Sequence, residues 1–425
     1  MVSRGRPGCK HVLNGAHTKH THNTSLKVIS EKDAALAVPP TGFVHDYMAF
    51  AMKQTTAPLG YHLVMALSLL GTTTPISYGT SYAGDLYGNL YALLVGRSGD
   101  EQKSSALGVA KKVLFKVQEQ LGNPIIGKQP GSPEGLVDSL VAVQRQIIYY
   151  SEFGAFLAKA QRKGTYFEPI KAYYTDLWDC QPVDRLKANN VSVSQPNPRL
   201  SLAAGCSLSY LEDNTTAADW SGGFMGRWAI IYSRRERTVS YPKNDWSAIP
   251  GLAARLLARA QMQQAGPCLG MDQKAFQRWD DWFHINDKRH VPDLVAGVKT
   301  RVPTLAMKAA LLYAWDFGEP LQGQPWHIQD HHVDYGIRFA ELHLKSIIGL
   351  TAYFAEHADA QLRRKILHSI PIGGVQSLGQ ILKRTKLKKR TVLEVLDGLV
   401  IDGTLRMHNV AGAANGALYE RLEAN

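Results

Sequence analysis

The sequence predicts an α/β fold: a mainly parallel sheet with helices on both faces, further helices on either side of it, and a small basic module at the C-terminus. Three observations lead to this expectation. Short apolar runs at residues 90–95, 146–150, 199–204 and 228–232 read as buried strands. Stretches with helical spacing separate most of them, and near-continuous apolar strands alternating with helices belong to parallel sheets covered on both faces. Positive charge is also unevenly spread. The net charge is +12, and residues 1–38 and 361–425 hold +4 and +6 of it.

Taken in order, residues 1–38 are polar, basic and without sustained periodicity, and read as a loose arm. His17, His20 and His22 lie there without a carboxylate or Cys partner in the stretch. Residues 39–75 form a helical lead-in, with Phe43, Tyr47, Phe50 and Ala51, then Leu59, Leu63, Ala66, Leu67 and Leu70, at three- and four-residue intervals. Residues 76–240 hold the strands and read as the core domain. Residues 241–360 read as mostly helical again, and residues 361–425 as a separate unit.

No run approaches the roughly 18–20 apolar residues of a membrane span. The polar, basic first ten residues give no reason to expect a secretory signal. Cys9, Cys180, Cys206 and Cys268 show no paired spacing, which suits a reducing, cytoplasmic setting and indicates neither disulfides nor a zinc site.

The first apolar run leads directly into Gly96-Arg97-Ser98-Gly99-Asp100-Glu101-Gln102-Lys103-Ser104-Ser105 and then a helical stretch. A strand, a Gly-containing loop and a helix N-terminus make up the context of a phosphate-binding loop. The backbone N–H groups and the helix dipole favour phosphate there. Lys103 fits the lysine that reaches the β/γ oxygens, and Ser104 the hydroxyl that ligates magnesium. Gly96, Ser98, Gly99 and Ser105 complete the expected nucleotide contacts. The spacing departs from the standard pattern: Lys103 lies seven residues after Gly96 rather than six, and Gln102 stands at the usual glycine position. The second apolar run ends in Ser151-Glu152, where an acid can polarise water or support magnesium. The alternative for Glu152 is a cap for the helix beginning near Ala155.

The order and spacing of four stretches resemble a family of RecA-like ATPases, of unknown or replicative-helicase-like function, found in phages and plasmids. They are the lead-in from Pro39-Pro40 with Ala57-Pro58 inside it, residues 90–105, Ser151-Glu152-Phe153-Gly154, and Gly222-Gly223-Phe224-Met225-Gly226-Arg227. The resemblance implies a RecA-like P-loop core using ATP and Mg2+, in a ring-forming, hexameric homo-oligomer that acts on DNA. It implies catalytic roles for Lys103 and Glu152, and a transition-state arginine at Arg227. Arg227 has the alternative of a strand-end charge or a salt bridge to an acid such as Glu212. Ser207, after the third run, is a weaker candidate for sensing the γ-phosphate.

Residues 361–425 have the order of a winged helix-turn-helix. A first helix contains Leu362, Ile366 and Leu367 and is broken at Gly373-Gly374. Ser377 caps a second helix, and a third begins at Lys389 with Val392, Val395, Leu396 and Leu399 as its core stripe. Asp402-Gly403 then signals a turn before two wing strands. Lys383, Arg384, Lys386, Lys388, Lys389 and Arg390 cluster where such a domain meets DNA. Two other readings stand beside that of a DNA-dependent ATPase motor. One is a DNA-binding initiator that has kept the fold and lost turnover; the other is a regulatory ATPase whose winged helix contacts a protein.

Overall fold

A computed structural model describes residues 28–80, 84–186, 192–237, 244–261, 268–318, 327–409 and 417–422. Its centre is a five-stranded parallel sheet made of β1 (Tyr91–Gly96), β2 (Ile126–Gly127), β3 (Arg145–Tyr150), β4 (Arg199–Ser207) and β5 (Trp228–Tyr232). The spatial order is β2-β3-β4-β1-β5. All four expected strands are present; β2 was too short to stand out in the sequence.

The apolar runs are continuous because both faces are buried. Along β1, Ala92 and Leu94 join one core, with Ala229 and Ile231 of β5. Tyr91, Leu93 and Val95 point the other way, with Trp228 and Ile230. The first face is covered by α1 (Gly42–Gln54), α2 (Leu59–Thr73) and α3 (Lys103–Leu121). Helix α2 is buried along its whole length, which explains its mostly apolar sequence, free of acidic and basic residues other than His62. The second face is covered by α4 (Phe153–Ala160), the helix Ile170–Trp178 and the middle of a long helix further on.

A second, four-stranded sheet joins Ser77–Thr80 and Gly84–Tyr87 to Cys268–Met271 and His327–Ile328. It packs with α5 (Val302–Phe317) and α6 (Asp330–Ser369). Two expected boundaries therefore shift. Residues 77–80 and 84–87 belong with the C-terminal half of the body rather than with the main sheet, and the region 241–360 contains strands as well as helices. Residues 28–38, expected in a loose arm, are instead part of the body. Ile29 is buried and bridges to Ser233, and Ser30 and Asp33 form a reciprocal capping box on the helix Glu31–Ala35. His17, His20 and His22 lie outside the described residues.

Helix α6 runs for 40 residues through the expected boundary at 361. Its last turns, with Ile366, enter the core of the C-terminal module beside Ile381 and Leu396. Pro371 follows its end, as a residue that cannot continue a helix. The module continues with α7 (Leu378–Thr385), capped by Ser377 with Gln380, and α8 (Lys389–Ile401). Strands Leu405–Asn409 and Ala417–Arg421 pair antiparallel, and Val375–Ser377 adds a third strand. Among the described residues no helix is long and apolar enough to cross a membrane.

Candidate functional site

Because the main sheet is parallel, the C-terminal ends of its strands share one edge. From β1 the chain moves outward to β2, returns through β3 and β4 to lie beside β1, and then crosses to β5 on the other side. Strand β1 is thus the switch point, and the crevice at its C-terminal end is where open α/β sheets bind ligands.

The loop between β1 and α3 occupies that crevice. Gly96 is buried: a Cβ there would lie 2.5 Å from the Tyr61 hydroxyl, so a side chain does not fit. That hydroxyl donates to Val95 O at 2.6 Å and lies 3.3 Å from Ser233 O, joining the ends of β1 and β5 beneath the loop. The loop turns through left-handed conformations at Gly99 (φ +81) and Gln102 (φ +49). Glycine adopts that conformation freely, whereas glutamine is held there at a cost of about 1–2 kcal/mol.

A cleft of about 690 Å3 opens above the loop, lined by Ser98, Gly99, Lys103, Ser104 and Ser105 on one side and Glu152 on the other. Of the expected nucleotide contacts, only Gly96 does not face it. The Lys103 ammonium is folded back, donating to Gly96 O at 3.1 Å and Arg97 O at 2.7 Å. Burial lowers its pKa, and the charge of Glu101 opposes that shift. Burial also pushes the thiol of Cys206 up to about 12, so it remains neutral and is no nucleophile at ordinary pH.

Glu152 stands at the N-cap of α4, yet its side chain makes no cap hydrogen bond. The capping alternative therefore does not account for it, and the exposed carboxylate is left open to the cleft. One strand, β4, separates β3 from β1, so loop and acid lie about 10 Å apart across the crevice. Ser207, at the end of β4, also lines the cleft, and its hydroxyl accepts from Tyr210 N at 3.4 Å as a helix cap.

Arg227 does not join the cleft. It precedes β5, so it sits at the edge opposite the loop, a strand length of about 16 Å away. It is 7% exposed, with its guanidinium donating to Gly223 O at 3.0 Å and to Asp179 at 3.2 Å. Its own cleft is not within its reach without unfolding this packing. The salt-bridge alternative holds with a different acid, since Glu212 contacts His357 instead.

In the C-terminal module Lys383, Lys386, Lys388 and Lys389 are exposed. Arg384 donates to Ser369 O at 2.7 Å, anchoring α7 to the end of α6. Arg390 pairs with Glu394 at 2.8 Å while remaining almost wholly in solvent. The first turn of α8 carries no acid and no side-chain cap.

Sequence reasoning missed two polar cleft residues, Tyr210 and Asn214. A trace of the first was legible in Gly154, where a Cβ would lie 2.7 Å from that of Tyr210. No protein-family model matches the chain, and no curated protein matches it.

Proposed function

We propose that this protein is a DNA-dependent ATPase with a RecA-like P-loop core and a C-terminal winged helix, a ring-forming helicase acting in the replication of a mobile element. The observation that carries the reading is the shared cleft. A lysine and hydroxyls at a helix N-terminus face an uncommitted carboxylate across one intervening strand, at the switch point of a parallel sheet. Phosphates fit between these groups: Lys103 neutralises their charge, the α3 N-terminus offers backbone N–H donors, and Glu152 orients and deprotonates the attacking water.

Among the described residues no group of three His, Cys, Asp or Glu side chains could hold a metal alone. The Ser104 hydroxyl suits Mg2+ held with substrate phosphates and waters, with Glu152 facing it across the cleft, and the ion would supply charge neutralisation at the transferred phosphoryl group. Arg234 and Arg235 follow β5 at the loop's own edge and are exposed, so they are better candidates than the buried Arg227 for contact with a nucleotide on a neighbouring subunit.

The DNA-binding part rests on α8. Cations in a first turn oppose the helix dipole by about 0.3–1 kcal/mol each. Lys388, Lys389 and Arg390 accept that penalty at an uncapped N-terminus, which a DNA phosphate would relieve.

The test is ATP turnover with and without single-stranded and duplex DNA. DNA should stimulate turnover, and Lys103→Ala and Glu152→Gln should each lower it at least a hundredfold, while Arg227→Lys should leave the turnover of folded protein unchanged. Unaltered turnover in Lys103→Ala would end the proposal. Neutralising Lys383, Lys386 and Lys389 together should flatten the dependence of DNA affinity on log salt by nearly three units. The second reading, a non-hydrolysing initiator, is favoured by the strained Gln102 and the folded-back Lys103. It predicts nucleotide binding without turnover, with duplex binding intact.

A further inference from the structure

The loop has one residue more than the standard spacing, and the structure reveals where the surplus side chain goes. Glu101 turns inward beneath the loop and is 4% exposed. Its carboxylate accepts from the Arg97 backbone, yet Oε2 has no partner among the described residues. It lies 3.1 Å from where a Cβ on Gly96 would stand, close to the Tyr61 hydroxyl, which is itself donated to Val95 O. A carboxylate with one oxygen left unpaired in so dry a place is an expensive choice, and burial raises its pKa accordingly. Among the charges acting on Lys103, Glu101 is the strongest, ahead of Glu152 and Asp100.

We propose that Glu101 is a built-in counter-anion: it holds Lys103 on the loop carbonyls and competes with incoming phosphate, so that it sets the affinity of the site. This inference rests on the reading of the cleft as a nucleotide site. Phosphate can recruit Lys103 only by drawing it away from Gly96 O, Arg97 O and the field of Glu101. The two anions, one resident and one arriving, repel each other across the same loop. Asp100 carries the same charge next door but is exposed, so water screens it.

The experiment is calorimetric binding of Mg-ATP and of magnesium pyrophosphate to the full chain, for the wild type, Glu101→Gln, Glu101→Ala, Asp100→Asn and Lys103→Ala. Removing one charge roughly 8 Å from the phosphates, at an effective dielectric near 30, tightens binding on the order of tenfold. Both Glu101 variants should show this for both ligands, and Asp100→Asn should change affinity less than twofold. Glu101→Gln keeps the shape of the side chain and Glu101→Ala removes it, so charge and packing are separated. Equal or weaker binding in Glu101→Gln overturns the proposal, as does tightening confined to Glu101→Ala. If no variant binds either ligand, the nucleotide reading itself fails and the inference falls with it.

Discussion

Two lysines at opposite edges of the same sheet have different fates. Lys103, at the C-terminal edge, sits half-buried beside an open cleft and donates to two loop carbonyls. Lys308, on α5 near the N-terminal edge, is 1% exposed and lies within hydrogen-bond reach of Tyr87 O, Asn89 O, Asn89 Oδ1 and Trp178 O at 2.7–3.2 Å. Burial lowers its pKa to about 8. Arg227 with Asp179 belongs to that same closed edge. The contrast sorts buried charge in a molecule like this: a cation surrounded by fixed acceptors holds segments together, whereas one beside empty volume has room to meet a ligand.

The sharpest way to break the comparison is to exchange the consequences of losing each lysine. Lys308→Met keeps most of the volume but strands several buried carbonyls, each costing about 1–3 kcal/mol when unpaired. Folding stability should drop on the order of 4 kcal/mol in urea unfolding. Lys103→Ala should lose less than about 1 kcal/mol while nucleotide binding disappears. Were Lys308→Met as stable as the wild type, the closed edge would not be the structural tie described.

A second, smaller effect concerns acid. Three imidazoles, His62, His332 and His343, are buried, and burial lowers their pKa values to about 3, 3 and 4. None lines the cleft. Their folded values lie below the unfolded value near 6.5, so the unfolded chain binds protons first as pH falls. Their stabilising contribution is complete above pH 6.5 and is lost progressively on the way down to pH 3–4. Between pH 6.5 and 5.5 each should cost roughly 1 kcal/mol, or about 3 together. Melting curves across that range test this, and a flat profile would contradict it. Affinity for nucleotide per folded molecule should not follow the same curve.

How much of this was legible in the sequence follows from the range of the interactions. The four long strands, the loop after β1 and the stripe of α8 are local patterns and could be read. The capping box at Ser30 is a local pattern too, a Ser-x-x-Asp spacing set in a polar stretch. The position of Arg227 was also implicit: a residue that precedes a parallel strand cannot share an edge with a loop that follows one. The burial of Lys308 was not legible, because its acceptors come from residues more than a hundred positions away. Nor was the strand pairing of Cys268–Met271, which depends on a partner near residue 77. Glu101 was visible only as a surplus residue; that it turns inward is a product of the fold.

The smallest predicted effect tests the open edge directly. Gln102 is held at φ +49, ψ +40 as the N-cap residue of α3, the place where the standard pattern has glycine. Its side-chain oxygen accepts from Thr56 N at 3.3 Å, a long contact that offsets little of the strain. Gln102→Gly relieves the left-handed penalty of about 1–2 kcal/mol but frees the unfolded chain, which returns up to about 1 kcal/mol of that gain. The net should be a stabilisation of about 0.5 kcal/mol, read as a small rise in the urea midpoint. The same variant lets phosphate approach the backbone at that point, so nucleotide binding should tighten as stability rises. If stability rises without tighter binding, the loop is merely strained, and the standard glycine position has no bearing on what this cleft holds.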